Sequence, residues 1–202
     1  MEAPPIEIEA KFAVPRLDPI RSQLLDRSAR LVLPRLQETN LRFDDADGRL
    51  GRDGKVLRLR TNHDTRLTYK APGPDPEHRV EVEVEVDDAA AARQLLERLG
   101  FQVVVVYEKY RETYALAGAQ VMLDELPFGL FVEVEADQLD SVRSTAEALG
   151  LHWSERLALG YLRLFESLRQ RHGWSFRDAT FANFAGLPTP GFEDVIEAAG
   201  RR

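Results

Sequence analysis

Strict alternation of apolar and charged residues is the feature that most restricts what this chain can fold into. The run Ile6-Glu7-Ile8-Glu9-Ala10-Lys11-Phe12 sets Glu7, Glu9 and Lys11 on one face of a β-strand and Ile6, Ile8, Ala10 and Phe12 on the other. Residues two apart on a strand stand about 6–7 Å apart. Two carboxylates at that spacing suit a divalent cation, and the lysine next in line suits an anion. A single strand of this kind reads as a half-solvated edge. Here the pattern returns, with both signs of charge.

A helical pattern through Ile20, Leu24, Leu25 and Ala29 follows Asp18-Pro19, and a second strand is expected over residues 36–43. After the Asp53-Gly54 turn, Val56 to Thr61 places Arg58 and Arg60 on one face and Leu57 and Leu59 on the other. Arg66 to Lys70 alternates again before Pro72-Gly73-Pro74 stops it. Arg79 to Val86 is the cleanest alternation, with Glu81, Glu83 and Glu85 against Val80, Val82, Val84 and Val86. Asp87 or Asp88 is expected to cap a helix through Ala91, Leu95, Leu96 and Leu99, closed by Gly100. A further strand carries Lys109 and Arg111 on one face, the next carries Asp124, and residues 130–135 pair Glu133 with Glu135. Helices are expected over 139–149 and after Ser154. From Gly173 the composition shifts to aromatics set among Gly and Pro, ending in a short helical stretch.

Eight strands, mostly in hairpin order with helices between, curl or close most naturally when antiparallel. The predicted fold class is therefore α+β: an eight-stranded antiparallel β-barrel with amphipathic helices packed outside. Those helices need an apolar surface. The sheet's apolar face is thus expected to point outward, so that Ile6, Ile8, Leu57, Leu59, Val82, Val84, Val132 and Val134 lie against residues such as Leu24, Leu95 and Leu96. The charged face then lines an interior tunnel. Residues 1–170 are read as that domain and 171–202 as an extension packing on it or on a partner.

With 202 residues the chain can bury a real core. It has no cysteine, so disulfide and thiolate chemistry are excluded, and no secretory signal or membrane-spanning run is read; a cytoplasmic location is expected. A net charge of −7 argues against a nucleic-acid polymer as partner but leaves room for a local basic pocket. The four histidines, His63, His78, His152 and His172, show no metal-ligand spacing. No membrane partner is expected, and the oligomeric state is read as monomer or homodimer.

The charged face combines Lys11, Arg58, Arg60, Lys70, Lys109 and Arg111 with Glu7, Glu9, Glu81, Glu83, Glu85, Asp124, Glu133 and Glu135. Arginine forks grip phosphate oxygens in pairs and lysines add compact charge. Clustered carboxylates call for a neutralising cation, and Mg²⁺ or Mn²⁺ fits their hard oxygens. Cations that hold a polyanion beside carboxylates that hold a metal are the equipment of phosphoryl or nucleotidyl transfer.

These residues also carry a resemblance. Glu7-Ile8-Glu9-Ala10-Lys11 resembles the ExExK signature of the CYTH superfamily, the triphosphate tunnel metalloenzymes. Leu57-Arg58-Leu59-Arg60, Leu67-Thr68-Tyr69-Lys70, Glu81-Val82-Glu83, Glu108-Lys109-Tyr110-Arg111, Leu123-Asp124-Glu125, Gly129 to Glu135 and Ser154 to Leu162, with Arg156 ahead of a Gly160-Tyr161 motif, follow in the family's order. The resemblance implies a triphosphate bound with Mg²⁺ or Mn²⁺. It implies that Glu7, Glu9, Lys11, Glu133 and Glu135 are catalytic. It further implies that Lys11, Arg58, Arg60, Lys70, Lys109, Arg111 and Arg156 bind substrate, and that Glu7, Glu9, Glu81, Glu83, Asp124, Glu133 and Glu135 supply the metal carboxylates. Two departures stand out: Asn40 replaces a frequent acidic residue, and the late helix lacks a lysine.

Triphosphatases and class IV adenylyl cyclases of this superfamily differ in nucleophile, water or a ribose hydroxyl. No base-recognition set is identifiable, and hydrolysis demands less of a site. The expected activity is metal-dependent hydrolysis of a small-molecule triphosphate, inorganic, thiamine or nucleoside. The alternatives are a cyclase making cyclic AMP and a non-catalytic polyphosphate- or nucleotide-binding module.

Overall fold

The computed structural model describes residues 6–73 and 79–200, with the side chains of Ile6, Glu7 and Arg79 left aside. It is a mixed α+β fold with one eight-stranded antiparallel sheet. The strands are β1 (Ile6–Val14), β2 (Arg30–Asp44), β3 (Val56–Thr61), β4 (Thr65–Pro72), β5 (Arg79–Glu85), β6 (Gln102–Leu116), β7 (Ala119–Leu126) and β8 (Gly129–Ala136). The helices are α1 (Asp18–Asp26), α2 (Arg49–Arg52), α3 (Ala89–Arg98), α4 (Leu139–Ala148), α5 (Tyr161–His172) and α6 (Phe192–Ala199). No helix among the described residues is long and apolar enough to cross a membrane.

The chain forms two compact units. The first holds Ile6, Glu7 and residues 37–108; the second holds residues 8–36 and 109–200. In the first, β2 pairs with β3, β3 with β4 and β4 with β5, in registers such as Arg42↔Arg58, Arg58↔Thr68 and Thr68↔Glu83. Ile6 and Glu7 pair with Val80 and Arg79. In the second, β6 pairs with β7, β7 with β8 and β8 with residues 8–14 of β1, with Lys11 opposite Glu133.

Period-two patterning sorts the side chains as the alternation dictates. In the second unit Ala10, Phe12, Val121, Leu123, Val132 and Val134 form one apolar cluster with Ile20 and Leu24 of α1 and Val142 and Ala146 of α4. In the first, Phe43, Leu57 and Leu59 pack with Leu96 of α3. Burying a side chain of this size is worth about 1.5–3 kcal/mol, enough to fix which face meets the helices. Asp88 caps α3 by accepting the amide hydrogens of Ala90 and Ala91.

Several expectations are corrected. Val82 and Val84 are 54% and 50% exposed, and Leu95 is 62% exposed, so no helix among the described residues covers these two valines. Alternation selects a face but does not place a helix on it; α3 lies over the strand face carrying Leu57 and Leu59. β2 begins at Arg30 instead of residue 36, because exposed Pro34 is tolerated where its missing N–H costs nothing. The late helix starts at Tyr161, since the Leu157 amide donates to the Lys11 carbonyl and Gly160 stands as N-cap.

Candidate active site

On the face of the first unit away from α3, β2 contributes Glu38, Asn40 and Arg42, with Glu38 and Asn40 buried. β3 sets Arg58 opposite Arg42 and Arg60 opposite Asn40, while Arg60 also faces Arg66 of β4. Like charges directly opposite on paired strands repel. The arginines are partly matched: Arg60 lies 3.6 Å from Glu38 and 3.5 Å from Asp64. Arg66 donates to Asp64 at 2.7 Å and to Glu83 at 2.9 Å, and these bonds raise its pKa. Burial alone would push Asp64 up, but the Arg66 bond and the Arg60 charge hold it below the usual carboxylate range. Arg58 reaches Tyr107 and Thr68 only at 3.4 and 3.5 Å. Lys70 pairs with Glu81 at 2.5 Å, and Thr68 donates to Glu83 at 2.7 Å. The buried Oδ1 of Asn40 and Nε of Arg60 find no hydrogen-bond partner among the described residues.

The second unit packs its charges more tightly. Asp124 of β7 is fully buried and collects donors on both oxygens. Arg111 grips it as a fork at 2.7 and 2.6 Å, Lys109 donates at 3.2 Å and the Tyr161 hydroxyl at 2.9 Å. Arg111 reaches on to Glu133 at 3.1 Å. Lys11 stands between two carboxylates, 2.5 Å from Glu9 and 3.4 Å from Glu133. Burial would push Glu133 up, yet the Lys11 and Arg111 charges overcome it and hold the carboxyl well below its usual range. For Lys11 the same contest runs the other way: burial lowers its pKa, Glu133 and Glu9 raise it, and the carboxylates win.

A divalent cation is tested against this donor set. Glu9 and Glu133 both approach the Lys11 ammonium, and Glu135 stands opposite Glu9 in the β1–β8 ladder. A position that already draws one cation between hard oxygens fits Mg²⁺ or Mn²⁺. Among the described residues no group of three or more acidic or histidine side chains is placed to hold a metal ion. The Glu7 side chain lies outside the described residues.

The sequence-derived residues fall into both units. Lys11, Glu9, Lys109, Arg111, Asp124, Glu133 and Glu135 lie in the second, and Arg58, Arg60, Lys70, Glu81 and Glu83 in the first. Arg156 packs its guanidinium 4.7 Å from the Trp153 ring and donates to the Trp153 carbonyl. Glu38, Arg42, Arg66, Thr68 and Tyr107 carry no expected role, and Tyr161 is expected only as part of the family-like Gly160-Tyr161 motif. The signal for the first two was present, since Glu38, Asn40 and Arg42 hold one face against Leu41 and Phe43. Thr39 in the apolar series blurred it.

Comparison with known proteins decides the family: the CYTH domain model matches residues 5–156. The chain belongs to the CYTH domain family. No curated protein sequence matches it. Among solved structures, a candidate adenylate cyclase of Vibrio parahaemolyticus superposes on this CYTH protein with a TM-score of 0.71 at 21% identity, covering 78% of this chain and 96% of that one. A Pyrococcus horikoshii protein gives 0.66 at 26% identity over 81% and 99% of the two chains. A candidate adenylyl cyclase of Hippeastrum with a dominant triphosphatase activity gives 0.59 at 22% identity over 80% and 95%. At identities of 21% and 22% these likenesses speak for the fold alone.

Proposed function

We propose that this CYTH protein is a metal-dependent triphosphatase acting on a small-molecule triphosphate. The observation that carries the reading is the buried cluster of Lys11, Lys109 and Arg111 with ionised Glu133 beside Glu9. Buried charges of both signs are costly to hold together without a ligand that uses them. An eight-stranded antiparallel sheet with a polar face is consistent with the barrel-like tunnel of the family, and the fold hosts a triphosphatase in Hippeastrum.

Lys11, Lys109 and Arg111 hold phosphoryl oxygens, the arginine as a fork and the lysines as point charges. Arg58, Arg60 and Lys70 offer the first unit's phosphate contacts. Glu9, Glu133 and Glu135 would hold the metal, with Glu7 as the further signature carboxylate; Glu81, Glu83 and Asp124 order the cations beside them. Arg156 is a candidate contact for an outer phosphate. When bound, Mg²⁺ or Mn²⁺ supplies a Lewis acid that neutralises phosphoryl charge. A water oxygen joins the terminal phosphorus, the bridging P–O bond breaks, and a diphosphate leaves with one proton released. Charge that grows on the leaving oxygen is met by the fixed cations, which need not reorganise.

The test is phosphate release from tripolyphosphate, thiamine triphosphate and ATP with Mg²⁺ or Mn²⁺, with cyclic AMP measured in the same ATP reactions. Release that stops in excess chelator and in Glu9→Gln is the expected result. Cyclic AMP in place of phosphate would replace this reading with the cyclase one. Binding without turnover would make the protein a polyphosphate- or nucleotide-binding module.

A further inference from the structure

The clamp of the second unit is finished by a residue beyond the family match, which ends at residue 156. Tyr161 is the first residue of α5, and its hydroxyl donates to Asp124 Oδ2, the oxygen that also receives Lys109 and Arg111. Its ring lies 5.6 Å from the Lys11 ammonium and 5.5 Å from that of Lys109, distances at which an aromatic face attracts cations. Burial first, then the charges of Asp124 and Glu133, raise the phenol well above its usual pKa, so it stays a donor. One side chain therefore touches the shared anchor and both lysines.

What holds Tyr161 is aromatic. On β8 the alternation puts Phe131 on the face of Glu133 and directly opposite Asp124, and its ring stands 5.0 Å from that of Tyr161. Phe131 packs on Phe128 at 5.9 Å, and Phe128 on Phe165 of α5 and on Phe184 at 5.8 and 6.3 Å. Phe184 in turn meets Trp174 at 4.8 Å and Phe176 at 5.2 Å. A Cβ on Gly129 would stand 3.1 Å from the Phe131 ring and 3.4 Å from Val195 of α6, so the β7–β8 turn is pressed between them. The carbonyl of Gly200 accepts the Ala158 amide, just before the helix that carries Tyr161.

We propose that Tyr161 is a positioning residue for the Asp124–Lys109–Arg111 clamp, and that residues 173–200 hold it there through this chain of rings. The C-terminal extension is then part of the working site. The inference rests on the reading of the clamp as a phosphate grip, and its test separates the two.

Tyr161→Phe, Phe184→Ala and the double variant are made in the full chain and studied where circular dichroism shows each folded. Metal-free binding of inorganic tripolyphosphate is measured by calorimetry, and kcat and KM with Mg²⁺. Tyr161→Phe keeps the ring and loses the donor to a charged acceptor, so binding should weaken about tenfold. Phe184→Ala, remote from the clamp, should shift binding and kcat/KM the same way, and Phe184→Leu should restore most of the loss. The double variant should be no worse than Tyr161→Phe alone, because both act through one group. A Phe184→Ala protein that melts earlier but binds and turns over normally overturns the proposal, as do effects that multiply in the double variant. Should Phe184→Ala not fold, Val195→Ala is read by the same criteria. Tripolyphosphate binding without turnover in the wild type overturns only the triphosphatase reading, since the binding arm still decides this one. A wild type that binds no tripolyphosphate overturns both.

Discussion

The two polar faces are built from the same residue types and differ in how fully they satisfy themselves. In the second unit Asp124 takes donors on both oxygens, and Glu133 is shared by Lys11 and Arg111. In the first, Arg42 faces Arg58 and Arg60 faces Arg66 across paired strands, and Asn40 Oδ1 and Arg60 Nε remain unsatisfied among the described residues. One face is preorganised, and the other carries repulsion that a bound polyanion would relieve. A site that must hold reacting atoms still profits from the first property. A site that must draw in a flexible, highly charged substrate profits from the second.

The sharpest way to break that contrast is to unbalance the preorganised face. Glu133→Gln keeps the shape and removes the charge between Lys11 and Arg111, and phosphate release should fall by about 100-fold or more with the fold retained. Asp124→Ala strands Lys109 and Arg111 without their buried anchor and should cost about 3–5 kcal/mol in denaturant unfolding. If either change is tolerated, the second unit is less committed than its geometry implies.

The first unit should answer differently. Arg58→Ala or Arg60→Ala should raise KM for tripolyphosphate about tenfold or more. Without ligand, the Arg58→Ala protein should stay within about 1 kcal/mol of the wild type, because that truncation relieves the Arg42–Arg58 like-charge pair. The rise in Tm on adding tripolyphosphate should shrink in these variants.

Acid and base sharpen the comparison further. Glu133 has a depressed pKa, so its stabilisation is present above about 4.5 and is lost as pH falls through the depressed value. Lys11 has a raised pKa, so its contribution is present below about 10.5 and is lost as pH rises through the raised value. The Tm difference between wild type and Glu133→Gln should be flat between those limits and shrink at both ends. The smallest effect belongs to Arg35, which forks onto Glu125 and lies 3.7 Å from the Tyr110 ring at the surface. Arg35→Ala should cost about 1 kcal/mol or less and leave turnover unchanged.

Much of this was legible in the sequence because a strand's period of two states directly which side chains share a face. Arg58 with Arg60 and Glu133 with Glu135 needed nothing more. What a period cannot state is what covers each face, which is why Val82 and Val84 turn out exposed. Nor can it state which acid answers which base. Asp124 accepts from Arg111, Lys109 and Tyr161, and that depends on pairing β6 with β7 and on a helix distant in the chain. Tyr161 stands in the Gly160-Tyr161 motif of the resemblance, but its partner Asp124 was not legible, because a tyrosine on an amphipathic helix has the pattern of a core residue.

The pairing of β1 with β8 has a consequence in time. Lys11 finds Glu133 only across nearly the whole family region, so the order in which the chain emerges during synthesis matters. Until β8 has left the ribosome, the first strand waits with its apolar face uncovered and Lys11 without Glu133. Closing so long a loop precedes any reward from the pairing, which makes this ladder a slow step in folding. A one-residue slip would turn Lys11 toward the helices and Phe12 toward the charges, so the late arrival must also dock in a single register.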